Sequence, residues 1–271
     1  MTSLKKLPIS YLYRFSITLF LIFALSACST QGFTMKPSDY FTPEYVKLIK
    51  LIQKGKKEKA QVLIDQGLPL DIYGEYGITP LFWFIAKNDL AATELTLELG
   101  ADPNLPEKQY GDTPLSSVVG GKTKYDVWVT LLLEYGANPN IVDHNGRPPL
   151  FRAVVGSSLS QIDILIKHGA NVNLHDKTGR NAALYAAYLN EYKLVYHLIK
   201  QGADPFNYSQ VGADIAWIIK DALSVPRIKA PSENYNWAMK VKAYLESLGV
   251  QFPPPSPAEV RAQWEKEGRY D

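Results

Sequence analysis

The chain has 271 residues, 46% of them hydrophobic and 21% charged, with a formal net charge of +2, one cysteine and four histidines. That length can bury one large core or two ordinary ones. So slight a charge argues against a nucleic-acid binder, which carries a strong basic excess. A single cysteine excludes an intramolecular disulfide framework and any multi-cysteine zinc or iron–sulfur site.

Lys5, Lys6 and Arg14 precede Phe15–Ala27, FSITLFLIFALSA, thirteen residues without a charge. A basic start and an apolar run of this length predict a secretory signal over residues 1–27. The run is short of the ~20 residues that a transmembrane helix needs. Leu25-Ser26-Ala27-Cys28 resembles the bacterial lipobox. That resemblance implies that the Cys28 thiol takes a diacylglyceryl group, that the signal is cut before it and that the new amine is acylated. Several acyl chains hold firmly, because each buried CH₂ contributes ~0.8 kcal/mol. Ser29, where an Asp would favour inner-membrane retention, implies a lipid-anchored periplasmic protein of the outer membrane. Removing residues 1–27 takes Lys+Arg from 29 to 26 against 27 Asp+Glu, so the slight basicity belongs to the signal. Residues 28–42 are expected to be a tether. Met35 lies inside it, and a start there would give a cytosolic form without the first 34 residues. An ordinary internal methionine is the simpler reading.

The body repeats. Gly100–Asn104 reads GADPN, Gly136–Asn140 GANPN, Gly169–Asn173 GANVN and Gly202–Phe206 GADPF, with weaker copies at Gly67 and Gly249. The spacings from Gly67 are 33, 36, 33, 33 and 47. A second marker keeps the same register: Thr79-Pro80-Leu81, Thr113-Pro114-Leu115, Pro148-Pro149-Leu150 and the degenerate Asn181-Ala182-Ala183. Proline suits a first helical turn, a Thr before it can cap the helix, and glycine ends the next helix in the left-handed conformation. The pattern resembles the ankyrin repeat. It implies an all-α ankyrin-repeat solenoid over residues 43–252: about six helix-turn-helix units, atypical first and last, joined by short turn fingers. Residues 253–271 are read as a Pro-rich tail. Val260 and Trp264 are four apart and share a helical face there. That face either folds back over the last repeat or serves as a docking element.

Motifs of catalysis are missing. Ser116–Thr123, SSVVGGKT, has serine where a phosphate-binding loop requires its first glycine, and the sequence has neither H-E-x-x-H nor G-x-S-x-G. The chain is therefore read as a non-enzyme without cofactor or metal. Surface remains. The residue after each T-P-L-x marker is variable and faces the concave side in the ankyrin pattern. Trp83, Ser117, Arg152, Tyr185 and Trp217 are placed there, with Tyr188 one turn beyond Tyr185. Trp, Tyr and Arg are enriched at binding hot spots, so these side chains either meet a partner or pack between repeats. The turn tips offer a second surface: Tyr73, Glu75, Tyr76, Lys108, Tyr110, His144, His175 and Lys177.

The lipobox, the repeats behind a short tether and the ending Pro253–Trp264, PPPSPAEVRAQW, together resemble ankyrin-repeat lipoproteins that serve as immunity proteins to type VI secretion lipase effectors. That resemblance implies a protein partner, a secreted phospholipase or lipase, which the anchored chain binds and neutralises at the membrane. An envelope scaffold tethering another enzyme is the alternative from a different class, and a lipase gene beside this one separates the two. If Met35 serves as a start, Met35→Leu removes a shorter band from the cytosolic fraction on an immunoblot; an unchanged pattern assigns Met35 no such role.

Overall fold

The computed structural model of the protein describes residues 36–121, 125–224 and 228–269. The expected signal 1–27, Cys28 and Met35 lie outside the described residues. All regular structure among the described residues is helical, in thirteen α-helices and two 3₁₀ turns, Pro37–Asp39 and Glu75–Gly77. They are α1 Pro43–Gln53, α2 Lys57–Asp65, α3 Pro80–Ala86, α4 Leu90–Glu98, α5 Pro114–Val118, α6 Asp126–Glu134, α7 Pro149–Val155, α8 Leu159–Lys167, α9 Ala182–Tyr188, α10 Tyr192–Lys200, α11 Ile215–Ser224, α12 Glu233–Ser247 and α13 Pro257–Lys266.

The repeat markers act as helix punctuation. Thr79 and Thr113 accept the N–H of the third helical residue, Phe82 at 3.3 Å and Ser116 at 3.1 Å, and Asn181 does so from Leu184 at 2.9 Å. Each bond satisfies an amide that the helix start leaves without a partner. The next residue, Pro80 or Pro114, has no N–H to satisfy. At the other end Gly169 and Gly202 adopt φ of 89° and 94° and end α8 and α10. A Cβ would meet no atom within 4 Å at either glycine, so backbone conformation and not space demands it.

The chain divides into two compact units, Met1–Tyr110 and Gly111–Asp271. In the first, α1 pairs with α2 and α3 with α4, and α1 also packs on α4. In the second, α5–α6, α7–α8, α9–α10 and α11–α12 are helix pairs. Their first helices stack in one layer, α5 on α7, α7 on α9 and α9 on α11, while α6 meets α8 and α10 meets α12 in the other. Leu150, Phe151, Ile162, Leu165, Leu184, Val195 and Leu198 are buried between the layers. Helix α9 reads AALYAAY, and its four alanines are fully buried, so little side chain separates it from α7 and α11.

Repeats are also joined by side-chain amides. In each G-A-[Asp/Asn]-x-Asn motif the third residue accepts the N–H of the fifth, as Asn138 does from Asn140 at 2.9 Å and Asn171 from Asn173 at 2.9 Å. The fifth residue then reaches the following motif. Asn140 donates to Gly169 O at 2.9 Å and accepts from Asn171 N at 2.7 Å. Asn173 repeats this on Gly202 O at 3.0 Å and Asp204 N at 2.7 Å. Phe206 holds the corresponding place in the next motif and has no amide to continue the series.

The tail resolves into α13, opened by a capping box of Ser256 and Glu259. It lies against the finger of the last repeat. Trp264 meets Tyr208 edge to face with centroids 5.7 Å apart, Val260 is buried, and Arg261 donates to Val211 O at 2.5 Å. A Cβ on Gly212 would stand 2.8 Å from Pro257 O, so only glycine lets the helix start seat there.

Asn173→Ala removes both bonds of one bridge. It is expected to cost about 1 kcal/mol, the usual net worth of an exposed hydrogen-bonded pair, seen as a lower urea midpoint with unchanged helical circular dichroism. Asn173→Asp, which keeps the acceptor and loses the donor, should fall between that variant and the native chain.

Candidate protein-binding surface

The fingers of the second unit are built by aspartates. In the finger Asp143–Arg147, Asp143 Oδ1 accepts the N–H of Asn145 at 2.8 Å and of Arg147 at 3.0 Å, and Oδ2 accepts Arg147 Nη2 at 3.1 Å. Asp176 does the same thirty-three residues on, taking Thr178 N at 2.9 Å, Arg180 N at 3.1 Å and Arg180 Nη2 at 2.7 Å. In the third finger Ser209 Oγ replaces the carboxylate, accepting Ala213 N at 3.2 Å. Backbone bonds chain the three together, Lys177 N to Asn145 O at 3.1 Å and Gln210 N to Thr178 O at 2.8 Å. The tips that carry His144, His175 and Lys177 are therefore held in a fixed row, with all three residues exposed. His175 Nε2 is 3.1 Å from Asn207 Nδ2.

Burial works to raise the Asp143 and Asp176 carboxyls. The amides and guanidinium facing each one outweigh it, and both sit below the ordinary carboxylate value. Asp214, the cap of α11, shows the opposite balance: burial pushes its carboxyl up despite bonds from Trp217 N and the Tyr208 hydroxyl.

The finger arginines also reach the first-helix layer. Arg180 lies over the rings of Tyr185 and Tyr188, at 4.9 and 5.2 Å from their centroids. Tyr185 in turn meets Phe151 at 5.1 Å, and its hydroxyl accepts from Arg147. Beyond Tyr188 opens a recess of about 260 Å³ between α11, the last finger and the start of α13. Tyr188, Trp217, Ile218, Val211, Pro257 and Asp221 are among the residues that line it. Tyr185, Tyr188 and Trp217 are half-buried. Each keeps an exposed part beside the fixed fingers, and Lys220 lies 4.4 Å from the Trp217 ring centroid.

Two of the expected concave residues do not belong to this surface. Trp83 is 1% exposed and meets Phe84 edge to face at 5.2 Å. Its Nε1 has no hydrogen-bond partner among the described residues. The reason is legible in α3: Pro80 to Ile85 are all buried, and a helix apolar on every side is enclosed, not amphipathic. Arg152 is committed to Asp112, whose side chain is 3% exposed, through a 2.5 Å ion pair. Without Arg152 that carboxylate would lose a cationic partner in a buried setting. Trp217 belongs to the surface but not at the register assigned to it. Asp214 caps α11 by accepting Trp217 N at 2.7 Å, so Trp217 is the third helical residue and corresponds to Leu184, and Ile218 corresponds to Tyr185.

In the first unit the tips pack on their own neighbours. The Tyr73 hydroxyl donates to Pro106 O at 2.9 Å and Lys108 Nζ lies 4.3 Å from the Tyr73 ring centroid. Gln109 Nε2 donates to the Tyr110 hydroxyl at 2.9 Å. Tyr76 is 54% exposed, in the left-handed region at φ 62°, with its ring edge on Tyr40; Glu75 beside it is also exposed.

The resemblance to a phosphate-binding loop dissolves at Gly120. Its N–H donates to Gln161 Oε1 at 2.8 Å, and a Cβ on Gly156 would stand 2.4 Å from Gly120 O, so this glycine serves close approach between repeats. Lys122 and Thr123 lie outside the described residues. Among the described residues no group of three or more His, Cys, Asp or Glu could hold a metal ion, and no helix is long and apolar enough to cross a membrane.

Residues 123–208 match the family model of ankyrin repeats (3 copies). No curated protein matches the chain. The fold is thus all-helical and of the ankyrin-repeat kind. Such repeats are generally non-catalytic interaction modules, and they imply a protein partner for this chain. The Asp143–Arg147 and Asp176–Arg180 clamps were not singled out from sequence, although D-x-x-G-R occurs twice at the repeat spacing.

Because both clamp carboxyls titrate below 3.8, their ordinary value, their stabilisation is complete above pH ~4 and is lost as the pH falls through the depressed folded values. Asp143→Asn/Asp176→Asn should cost about 2 kcal/mol at pH 7. It should also flatten the acid limb of stability measured by urea unfolding between pH 7 and pH 3. A variant with the native acid limb would remove the clamps from that role.

Proposed function

We propose that the chain is a lipid-anchored immunity protein of the bacterial periplasm that binds and neutralises a type VI secretion phospholipase or lipase effector. One observation carries the reading: a lipobox at Cys28 and a short tether stand before a repeat array that ends in PPPSPAEVRAQW. The chemistry of the repeat surface supports it. A toxin's active-site entrance is a concavity, and a fixed row of finger tips beside exposed aromatic edges can plug one without catalysis of its own. The contact set is Tyr188 and Trp217 at the recess, Tyr185 under Arg180 beside them, and the tips His144, His175 and Lys177. Acylation of Cys28 would keep this antidote at the bilayer that the toxin attacks, on the outer membrane if Ser29 acts as a sorting residue.

The anchored chain should capture a lipase when used as bait in lysates of cells carrying the secretion system, and lipid hydrolysis by that lipase should fall when the chain is added. Tyr188→Ala and Trp217→Ala should each weaken capture by about 2 kcal/mol, roughly thirtyfold. Capture of an enzyme whose activity is untouched would favour the envelope scaffold, and full capture by both folded variants would move the contact away from the recess.

A further inference from the structure

The second-helix layer of the second unit carries a surface that the toxin reading leaves unused. On α10, Lys193, Tyr196 and Lys200 fall at i, i+3 and i+7; on α12, Trp237, Lys240 and Tyr244 do the same. That spacing puts each trio on one stripe of its helix. The two stripes face each other and interleave. Tyr196 packs on Trp237 at 5.8 Å and on Tyr244 at 6.0 Å. Lys240 Nζ lies 4.4 Å from the Tyr196 centroid and 4.6 Å from that of Trp237, while Lys200 Nζ lies 3.9 Å from Tyr244. Lys193 flanks Trp237 at 6.0 Å. The rings are half-buried and the three lysines exposed. Among the described residues none of these lysines is in an ion pair. Two acids stand at the edges, each already bonded: Glu233 accepts Trp237 Nε1 at 3.4 Å, and the exposed Asp163 lies 2.6 Å from His197 Nε2 on α10. Leu248, one turn beyond Tyr244, extends the stripe and is 42% exposed.

We infer that this face docks on an anionic phospholipid surface. Lysine is depleted in protein–protein interfaces, where the basic residue that accompanies enriched tyrosine and tryptophan is arginine. Tryptophan and tyrosine together with outward-reaching lysines are instead the composition of the bilayer–water boundary. There the rings sit at headgroup level and the ammonium groups meet phosphates. Half-buried rings flanked by exposed lysines match that layering, and three lysines against two peripheral carboxylates, one of them bonded to His197, leave the basic excess that an acidic leaflet attracts. The inference takes from the proposed function only that the chain works beside a bilayer. It supplies what an acyl tether lacks, a fixed orientation of the repeats on the membrane.

The test uses the chain beginning at Ser29, which keeps every described residue and has no acyl chain, in co-sedimentation with vesicles. Phosphatidylcholine vesicles with and without a quarter phosphatidylglycerol are compared. Binding is expected for the phosphatidylglycerol vesicles only, weakening with salt. The triple variant Lys193→Glu/Lys200→Glu/Lys240→Glu should partition at least ~10-fold less, since each basic residue near such a surface contributes several-fold. Trp237→Ala should weaken binding at unchanged charge. The proposal is overturned if the native chain ignores phosphatidylglycerol vesicles, if it binds both vesicle types equally, if the folded triple variant binds as well as the native chain, or if polyglutamate is bound more tightly than the vesicles. Lipase capture by the triple variant is measured separately: its retention supports the two surfaces being distinct, and its loss, with vesicle binding intact, counts against the membrane role.

Discussion

A helix pair of this length cannot bury its apolar faces by itself, so each repeat has to borrow a wall from its neighbour. The molecule meets that constraint in two ways in the second unit, by packing at each junction and by side-chain amides at the two that Asn140 and Asn173 span. Apolar side chains such as Phe151 and Leu184 fill the space between the layers, and the Asn140 and Asn173 amides fasten the connecting segments. The amides matter beyond their modest individual energies. Each accepts from and donates to the following motif, which fixes the height and rotation of one repeat on the next. Everything built on top of that registration inherits it: the stacked fingers, the arginine–tyrosine contacts and the recess near Trp217.

The fingers show how a buried charge becomes a structural tool. Asp143 and Asp176 are held with their carboxylates almost out of solvent, at a desolvation cost that their backbone amides and arginines more than offset. The same arginines reach the tyrosines of the first-helix layer, Arg180 over the rings of Tyr185 and Tyr188 and Arg147 at the Tyr185 hydroxyl. One residue type thus stiffens the tip and shapes the surface beside it, which is how a loop can present a partner-binding edge without first having to be ordered. Where the carboxylate is replaced by Ser209, the finger loses its arginine and is supported by α13 through Trp264 and Arg261. The tail is accordingly part of the last repeat's architecture.

The two layers differ in what they offer. The first-helix side has aromatic edges set among fixed finger tips, suited to a concave protein partner. The second-helix side has lysines interleaved with rings, suited to a flat anionic surface. A protein that acts on a soluble partner next to a membrane has use for both, and in this chain they lie on different elements of one stacked unit.

How much of this could be read from the residues follows the range of the interactions involved. Helix starts at Thr79 and Thr113, helix ends at Gly169 and Gly202 and the repeat period depend on contacts within a few residues, so the sequence by itself determined the all-helical repeat fold, and it alone carries the expected signal and Cys28. The fate of individual aromatic and basic side chains depends on atoms contributed from thirty or more residues away. Trp83 sat at a position that reads as concave, yet α3 is enclosed on every side. Arg152 was available until Asp112, forty residues earlier, claimed it; Trp217 is the local exception, one helical position off because Asp214, three residues before it, and not Ala213, caps α11. The facing stripes of α10 and α12 are each visible as a spacing, but only packing brings Tyr196 between Trp237 and Tyr244. Local hydrogen-bond chemistry wrote the repeat into the sequence; which side chains remain at the surface was decided by tertiary structure, because burial is a property of neighbours that the chain order does not name.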